Sequence, residues 1–142
     1  MSAESYPYQS SDRERQRLIA QAALVGPLTE RLFEKAGLAA GMTALDIGSG
    51  SGDVALLAAK FVGRRGRVIG VDRDPAQIAF ASERARAADL PQVEFRVGDF
   101  REIDLGEPVD AVVGRLVLMY AADPVDALRR AARHLRPGGG IG

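Results

Sequence analysis

From residue 43 onward the chain alternates short apolar runs with segments whose apolar residues recur at helical spacing. Residues 43–47, Thr-Ala-Leu-Asp-Ile, predict a first strand, and Val54, Leu57, Ala58 and Phe61 form the apolar stripe of a following helix. Residues 67–71 predict a short second strand ending in Asp72. Asp74-Pro75 then supplies an N-cap and a first-turn proline for a helix burying Ile78, Ala81 and Ala85. Pro91 breaks that helix. Val93, Phe95 and Val97 alternate with Glu94 and Arg96 as a third strand, closed by Gly98-Asp99-Phe100. Residues 110–113 predict a fourth strand, and Asp123-Pro124 repeats the capping device before a helix bearing Leu128, Ala131 and Leu135.

The first 40 residues read differently. Ser11 and Glu14 form a capping box opening a helix over residues 12–25, charged at first and apolar later. Gly26-Pro27 interrupts it. Leu28, Leu32, Phe33 and Ala36 share one face of a second helix, which Gly37 stops. The expected organisation is a helical lid over residues 1–40 and an α/β domain over residues 41–142.

Strands and helices in alternation, joined by short links, imply right-handed crossovers and a Rossmann-like parallel sheet with helices on both faces. Ligands bind such sheets beyond the carboxyl ends of the strands. There the sequence places Gly48-Ser49-Gly50-Ser51-Gly52, Asp72, Asp99 and the segment after Val113. Alternate glycines in a strand-to-helix turn let the backbone approach a ligand closely.

Charge and composition narrow the chemistry. Nineteen basic and nineteen acidic residues leave no net charge, so no global field gathers a polyanion, and nucleic acid is not an expected partner. The absence of cysteine excludes disulfides, thiolate metal sites and cysteine nucleophiles within these 142 residues. The one histidine, His134, leaves little for a metal site, and its place near the end of the last helix predicts a surface side chain. No metal is expected. The N-terminus lacks the blocks of a signal peptide, and no apolar run reaches the roughly 20 residues of a membrane span. The expected setting is the cytoplasm, without membrane association.

The glycine turn begins like a dinucleotide fingerprint, G-x-G-x-x-G, but the third glycine is replaced by Asp53 at the helix N-terminus, where a pyrophosphate would sit. A carboxylate there argues for a ligand without phosphate. A dinucleotide-binding oxidoreductase stays open as the alternative of another class.

Residues 45–52, Leu-Asp-Ile-Gly-Ser-Gly-Ser-Gly, resemble the first motif of class I S-adenosylmethionine-dependent methyltransferases. The order continues: residues 68–72 resemble the acidic end of the second strand, Gly98-Asp99-Phe100 the loop after the third, and residues 109–113 the fourth strand. Leu135-Arg136-Pro137-Gly138-Gly139 resembles the turn before the fifth. The resemblance implies S-adenosylmethionine as cofactor. It implies that Gly48, Ser49, Gly50 and Gly52 admit its methionine part, and that Asp46 faces its amino group. Asp72, with Arg73 beside it, would accept from the ribose hydroxyls; Asp99, with Gly98 and Phe100, would take the adenine; Arg115 and Leu116 would line the methionine side. Met119 and Tyr120 are candidates for the acceptor border, and Tyr8 with residues 13–17 for a closing lid. No residue is identified as a catalytic base.

The Asn/Asp-Pro-Pro-aromatic signature of nucleic-acid amino-methylating relatives is absent, Gly114-Arg115-Leu116-Val117 standing in its place, which favours a small-molecule acceptor. The family's sheet continues beyond the Pro-Gly-Gly turn, so the expected strand order is 3-2-1-4, with the fifth strand missing and residues 111–113 on an exposed edge. A chain so cut is expected to fold marginally and catalyse poorly, and a non-catalytic cofactor-binding module is the second alternative.

Overall fold

The computed structural model describes residues 12, 13, 16, 27, 29–31, 33–35, 37–114 and 122–142. The elements run β1 (Thr43–Ile47), α1 (Asp53–Val62), β2 (Arg67–Asp72), α2 (Pro75–Ala87), β3 (Val93–Val97), β4 (Val109–Val113), α3 (Pro124–Ala132) and β5 (Leu135–Ile141). The strands form one sheet in the order β3-β2-β1-β4-β5, every neighbouring pair parallel.

Parallel strands need cover on both faces, because helical crossovers place apolar residues on each side. The register delivers this. Ala44, Val68, Ala111 and Val113 face one layer with Val54, Ala55, Ala58, Ala59 and Val62 of α1. Leu45, Ile47, Ile69, Val71 and Val112 face the other, with Leu105 and Ala131 of α3. Leu45, Val68 and Ile69 are wholly buried; each such side chain contributes about 1.5–3 kcal/mol through removal from water. Ile78, Ala81 and Ala85 of α2 are buried as the spacing predicts. Asp74 caps α2 by accepting from the Ala76 N–H at 2.9 Å, and Asp123 caps α3 by accepting from the Asp126 N–H at 3.1 Å.

Two expectations need correction. The sheet has a fifth strand, so the order is 3-2-1-4-5 and β4 is interior, with Val112 and Val113 buried. The Pro-Gly-Gly turn does not precede that strand but lies inside it. Val109 pairs with Leu135 and Ala111 with Gly140, so residues 136–139 bulge out between the two pairings. Glycine makes this possible: Gly138 has φ +84, and a Cβ on Gly139 would lie 2.8 Å from the Asp110 carbonyl. Asp110 then ties three strands. Its carboxylate accepts from the Thr43 N–H at 2.8 Å and pairs with Arg136, and these contacts, the first foremost, hold its pKa below the usual carboxylate range.

The second correction concerns α3, which ends at Ala132. Ala127 and Ala131 form its buried face, Leu128 is 42% exposed, and Leu135 belongs to β5. Of the apolar face expected before the sheet, Phe33 is buried and meets Phe61 of α1 edge-on, with ring centroids 5.4 Å apart; Leu28, Leu32 and Ala36 lie outside the described residues.

Candidate functional site

The carboxyl ends of β1, β2 and β3 meet at one rim. The Ser49 N–H donates to the Val71 carbonyl at 2.9 Å, which binds the glycine turn to the end of β2. The Gly98 N–H donates to the Asp72 carbonyl at 2.9 Å, which binds the turn after β3 to the same point. Three sequence motifs separated along the chain are therefore joined by backbone hydrogen bonds.

Within the turn, Gly50 (φ +53) and Gly52 (φ +93) both adopt left-handed backbone, which side chains rarely tolerate, but their surroundings differ. A Cβ at Gly50 would meet nothing within 4 Å, so its side faces open space. A Cβ at Gly52 would lie 3.1 Å from both Ala81 and Phe95. The ring of Phe95 also passes over Gly70, where a Cβ would approach it to 2.6 Å. The turn thus rests on an aromatic ring from β3 and leaves its other side to a ligand.

That side is a crevice of about 230 Å³ lined by Asp46, Gly48, Ser49, Gly50, Asp53 and Gln77, among others. Asp46 is 1% exposed. The Ser49 hydroxyl is buried with no hydrogen-bond partner among the described residues, an orphan that a ligand in the crevice would satisfy. A larger hollow of about 320 Å³, lined by Arg86, Asp89 and Leu90 among others, lies between α2 and β3 on the flank, away from the strand ends.

Asp72 is held by two backbone donors, the Gly50 N–H on Oδ2 and the Asp74 N–H on Oδ1, both at 2.9 Å. A carboxylate has about four acceptor positions, so each oxygen keeps capacity for one further donor. Two hydroxyls on adjacent carbons suit that arrangement. Asp99 is chelated by Arg101, whose Nη2 reaches Oδ2 at 2.7 Å and whose backbone N–H reaches Oδ1 at 2.9 Å. The guanidinium is the main cause of an Asp99 pKa lowered to about 2, and the backbone N–H and the charge of Arg73 act in the same direction against burial. The ring of Phe100 packs against the second core layer. Arg73 is exposed at the end of β2, and Gly98 is crossed closely by Ile103.

Asp53 starts α1, as the sequence implies, but it does not stand there as a bare charge. It is 8% exposed, and Arg84 of α2 donates to its Oδ1 at 2.7 Å and to the Ser51 carbonyl at 2.8 Å from the same nitrogen. Nothing in the local sequence pattern marks Arg84 for this role. Repulsion of a phosphate is accordingly weaker than the sequence suggests, although the pair occupies the place a pyrophosphate would take. His134 also departs from expectation. It lies beyond α3, half-buried, with Nε2 2.6 Å from the Phe100 carbonyl. Arg115, Leu116, Met119, Tyr120 and Tyr8, like most of residues 13–17, lie outside the described residues. Among the described residues no group of three or more metal-binding side chains occurs, and no helix is long and apolar enough to cross a membrane.

The family described as methyltransferase domain matches residues 38–141. The chain is 39% identical over 107 residues to an arsenite methyltransferase of Halobacterium salinarum, covering 75% of this chain and 27% of that protein. It is 38% identical over 100 residues to a 2-phytyl-1,4-naphtoquinone methyltransferase of Thermosynechococcus vestitus, covering 70% of this chain and 44% of that one. The chain therefore spans less than half the length of these relatives. Among solved structures, a SAM-dependent methyltransferase from Aquifex aeolicus superposes with a TM-score of 0.68 at 27% identity, over 77% of this chain and 58% of that one. With the sheet order, the glycine turn and both strand-end aspartates in place, the chain belongs to the class I S-adenosylmethionine-dependent methyltransferase family.

Proposed function

We propose that the protein binds S-adenosylmethionine in the crevice at the glycine turn and transfers its methyl group to a small-molecule acceptor. The observation that carries this reading is Asp72, fixed by two backbone donors and keeping an acceptor position on each oxygen beside a turn open to a ligand. Family membership and the relatives' named small-molecule acceptors support it.

When bound, the cofactor supplies an electrophilic methyl carbon on a sulfonium. The chain's own residues bind and orient. Gly48 and Gly50 admit the amino-acid part while Gly52 seats the turn on Phe95, with the Ser49 hydroxyl as an acceptor or donor within the crevice and the Asp46 carboxylate as counter-charge to the ammonium. Asp72 accepts from the two ribose hydroxyls. Asp99, ionised down to low pH, accepts from the exocyclic amino group of adenine, with the Phe100 backbone beside it. Orientation of this kind supplies on the order of 7–11 kcal/mol in favourable cases, so methyl transfer does not oblige the protein to provide a base. Arg115 and Leu116 on the methionine side, a lid formed by residues 1–40 and a cytoplasmic setting belong to the same reading.

The test is transfer of labelled methyl groups from S-adenosylmethionine into a small-molecule metabolite extract. Labelled small-molecule products are expected. Binding of the cofactor with no labelled product would leave a binding module in place of an enzyme.

A further inference from the structure

Residues 99–101 carry the groups that, on the reading above, recognise the base, and the carbonyls of Phe100 and Arg101 are held from a distant part of the chain. His134 Nε2 lies 2.6 Å from the Phe100 carbonyl, and Arg133 Nη2 donates to the next carbonyl, that of Arg101, at 3.2 Å. A carbonyl only accepts, so Nε2 carries the proton in this contact. The imidazole is itself anchored through its backbone. The His134 N–H donates to Ala131 at 3.2 Å, and its carbonyl accepts from the Val109 N–H at 2.8 Å, at the start of the β4–β5 pairing. His134 therefore transmits the position of the sheet to the Phe100 peptide. The loop is also held locally: the Asp99 carbonyl accepts from the Glu102 and Ile103 N–H groups at 3.0 and 2.9 Å, and Arg101 holds the Asp99 carboxylate by its side chain and N–H while its carbonyl takes the Arg133 bond.

We infer that His134 is a positioning residue for base recognition: by holding the Phe100 carbonyl, it sets the direction in which the Asp99 carboxylate and the Phe100 N–H meet the edge of the purine. This rests on the cofactor reading above and adds to it the residue that determines discrimination between a 6-amino and a 6-oxo purine. A 6-oxo group would present an acceptor to the Asp99 carboxylate, whereas a 6-amino group donates to it. That difference counts only while the loop is held in place.

The experiment compares binding of S-adenosylhomocysteine and S-inosylhomocysteine, which differ only in the base, by calorimetry on the 142-residue chain and its variants. The wild-type protein is expected to prefer the adenine compound at least tenfold. His134→Leu is expected to lower that preference about fivefold, by weakening the adenine compound alone, while His134→Gln, which keeps an N–H donor, stays within about twofold of wild type. Arg133→Ala, at an exposed side chain with a longer bond, moves the preference in the same direction by about twofold. A folded His134→Leu that weakens both compounds equally, or neither, overturns the inference and leaves the cofactor reading standing. If His134→Leu does not melt cooperatively, Arg133→Ala decides, and an unchanged preference there overturns it. A wild-type chain that binds neither compound overturns the cofactor reading itself.

Discussion

The two ends of the proposed cofactor site, the glycine turn and the Asp99 turn proposed to meet the base, are built differently. At the glycine turn, buried groups and backbone bonds do the holding: Ser49 is bonded to Val71, Gly52 sits on the Phe95 ring, and Arg84 joins the buried Asp53 to the Ser51 carbonyl. At the base end the contacts are half-exposed and local in part, with the Asp99–Arg101 pair two residues apart and its arginine side chain 41% exposed. Asp72 stands between them and is bonded to both, by its carboxylate to Gly50 and by its carbonyl to Gly98. The glycine end is fixed by packing that water and salt reach poorly, whereas the base end is fixed by charge that they reach well. Affinity for the shared part of the ligand should follow the first, and sensitivity to solution conditions the second.

The largest effect is expected where the two ends join. Asp72→Ala removes the proposed acceptor for the two ribose hydroxyls and the anchor of the Gly50 N–H, and S-adenosylhomocysteine should bind about 100-fold or more weakly by calorimetry. A loss below fivefold would mean that the ends do not depend on this carboxylate.

Arg84→Ala comes next. It removes the bond to Ser51 and the Arg84 partner of a buried carboxylate, so binding of S-adenosylhomocysteine should weaken about tenfold. Adenosine, which lacks the amino-acid part, should bind as it does to wild type. Equal losses for both compounds would show that Arg84 supports the whole fold and not the glycine end.

The base end should show itself through pH. Arg101 holds the Asp99 pKa at about 2, below its unfolded value near 3.8, so the stabilisation from this pair is complete above that higher value. It is lost as the pH falls toward about 2. The stability difference between wild type and Asp99→Asn, from urea midpoints, should be constant from pH 7 to about 5 and shrink below about 4. A difference that grows on acidification would have the wrong sign.

Much of the framework could be read along the chain. Residues 43–87 follow simple rules, with apolar strands carrying an aspartate at or next to their carboxyl ends and an Asp-Pro capping pair, and they fold as those rules say. β5 escaped because its sequence, Leu-Arg-Pro-Gly-Gly-Gly-Ile, has turn chemistry and no alternation; its pairing with β4 depends on a bulge that glycine allows. Helical spacing places Leu128, Ala131 and Leu135 on one helix, but α3 ends at Ala132 and docks through Ala127 and Ala131, leaving Leu128 exposed. The positions of Asp72 and Asp99 were legible because both end strands. Arg84 and His134 were not, because their roles lie in contacts 31 and 34 residues away, and nothing in the local pattern marks either partner.

On the proposed function, the turn, Asp72 and Asp99 form one adenosyl-compound site. Calorimetry of the 142-residue chain with S-adenosylhomocysteine and, separately, with NAD tests it most directly. Saturable binding of one S-adenosylhomocysteine per chain without measurable NAD binding is the predicted result; saturable NAD binding with no response to S-adenosylhomocysteine would contradict it.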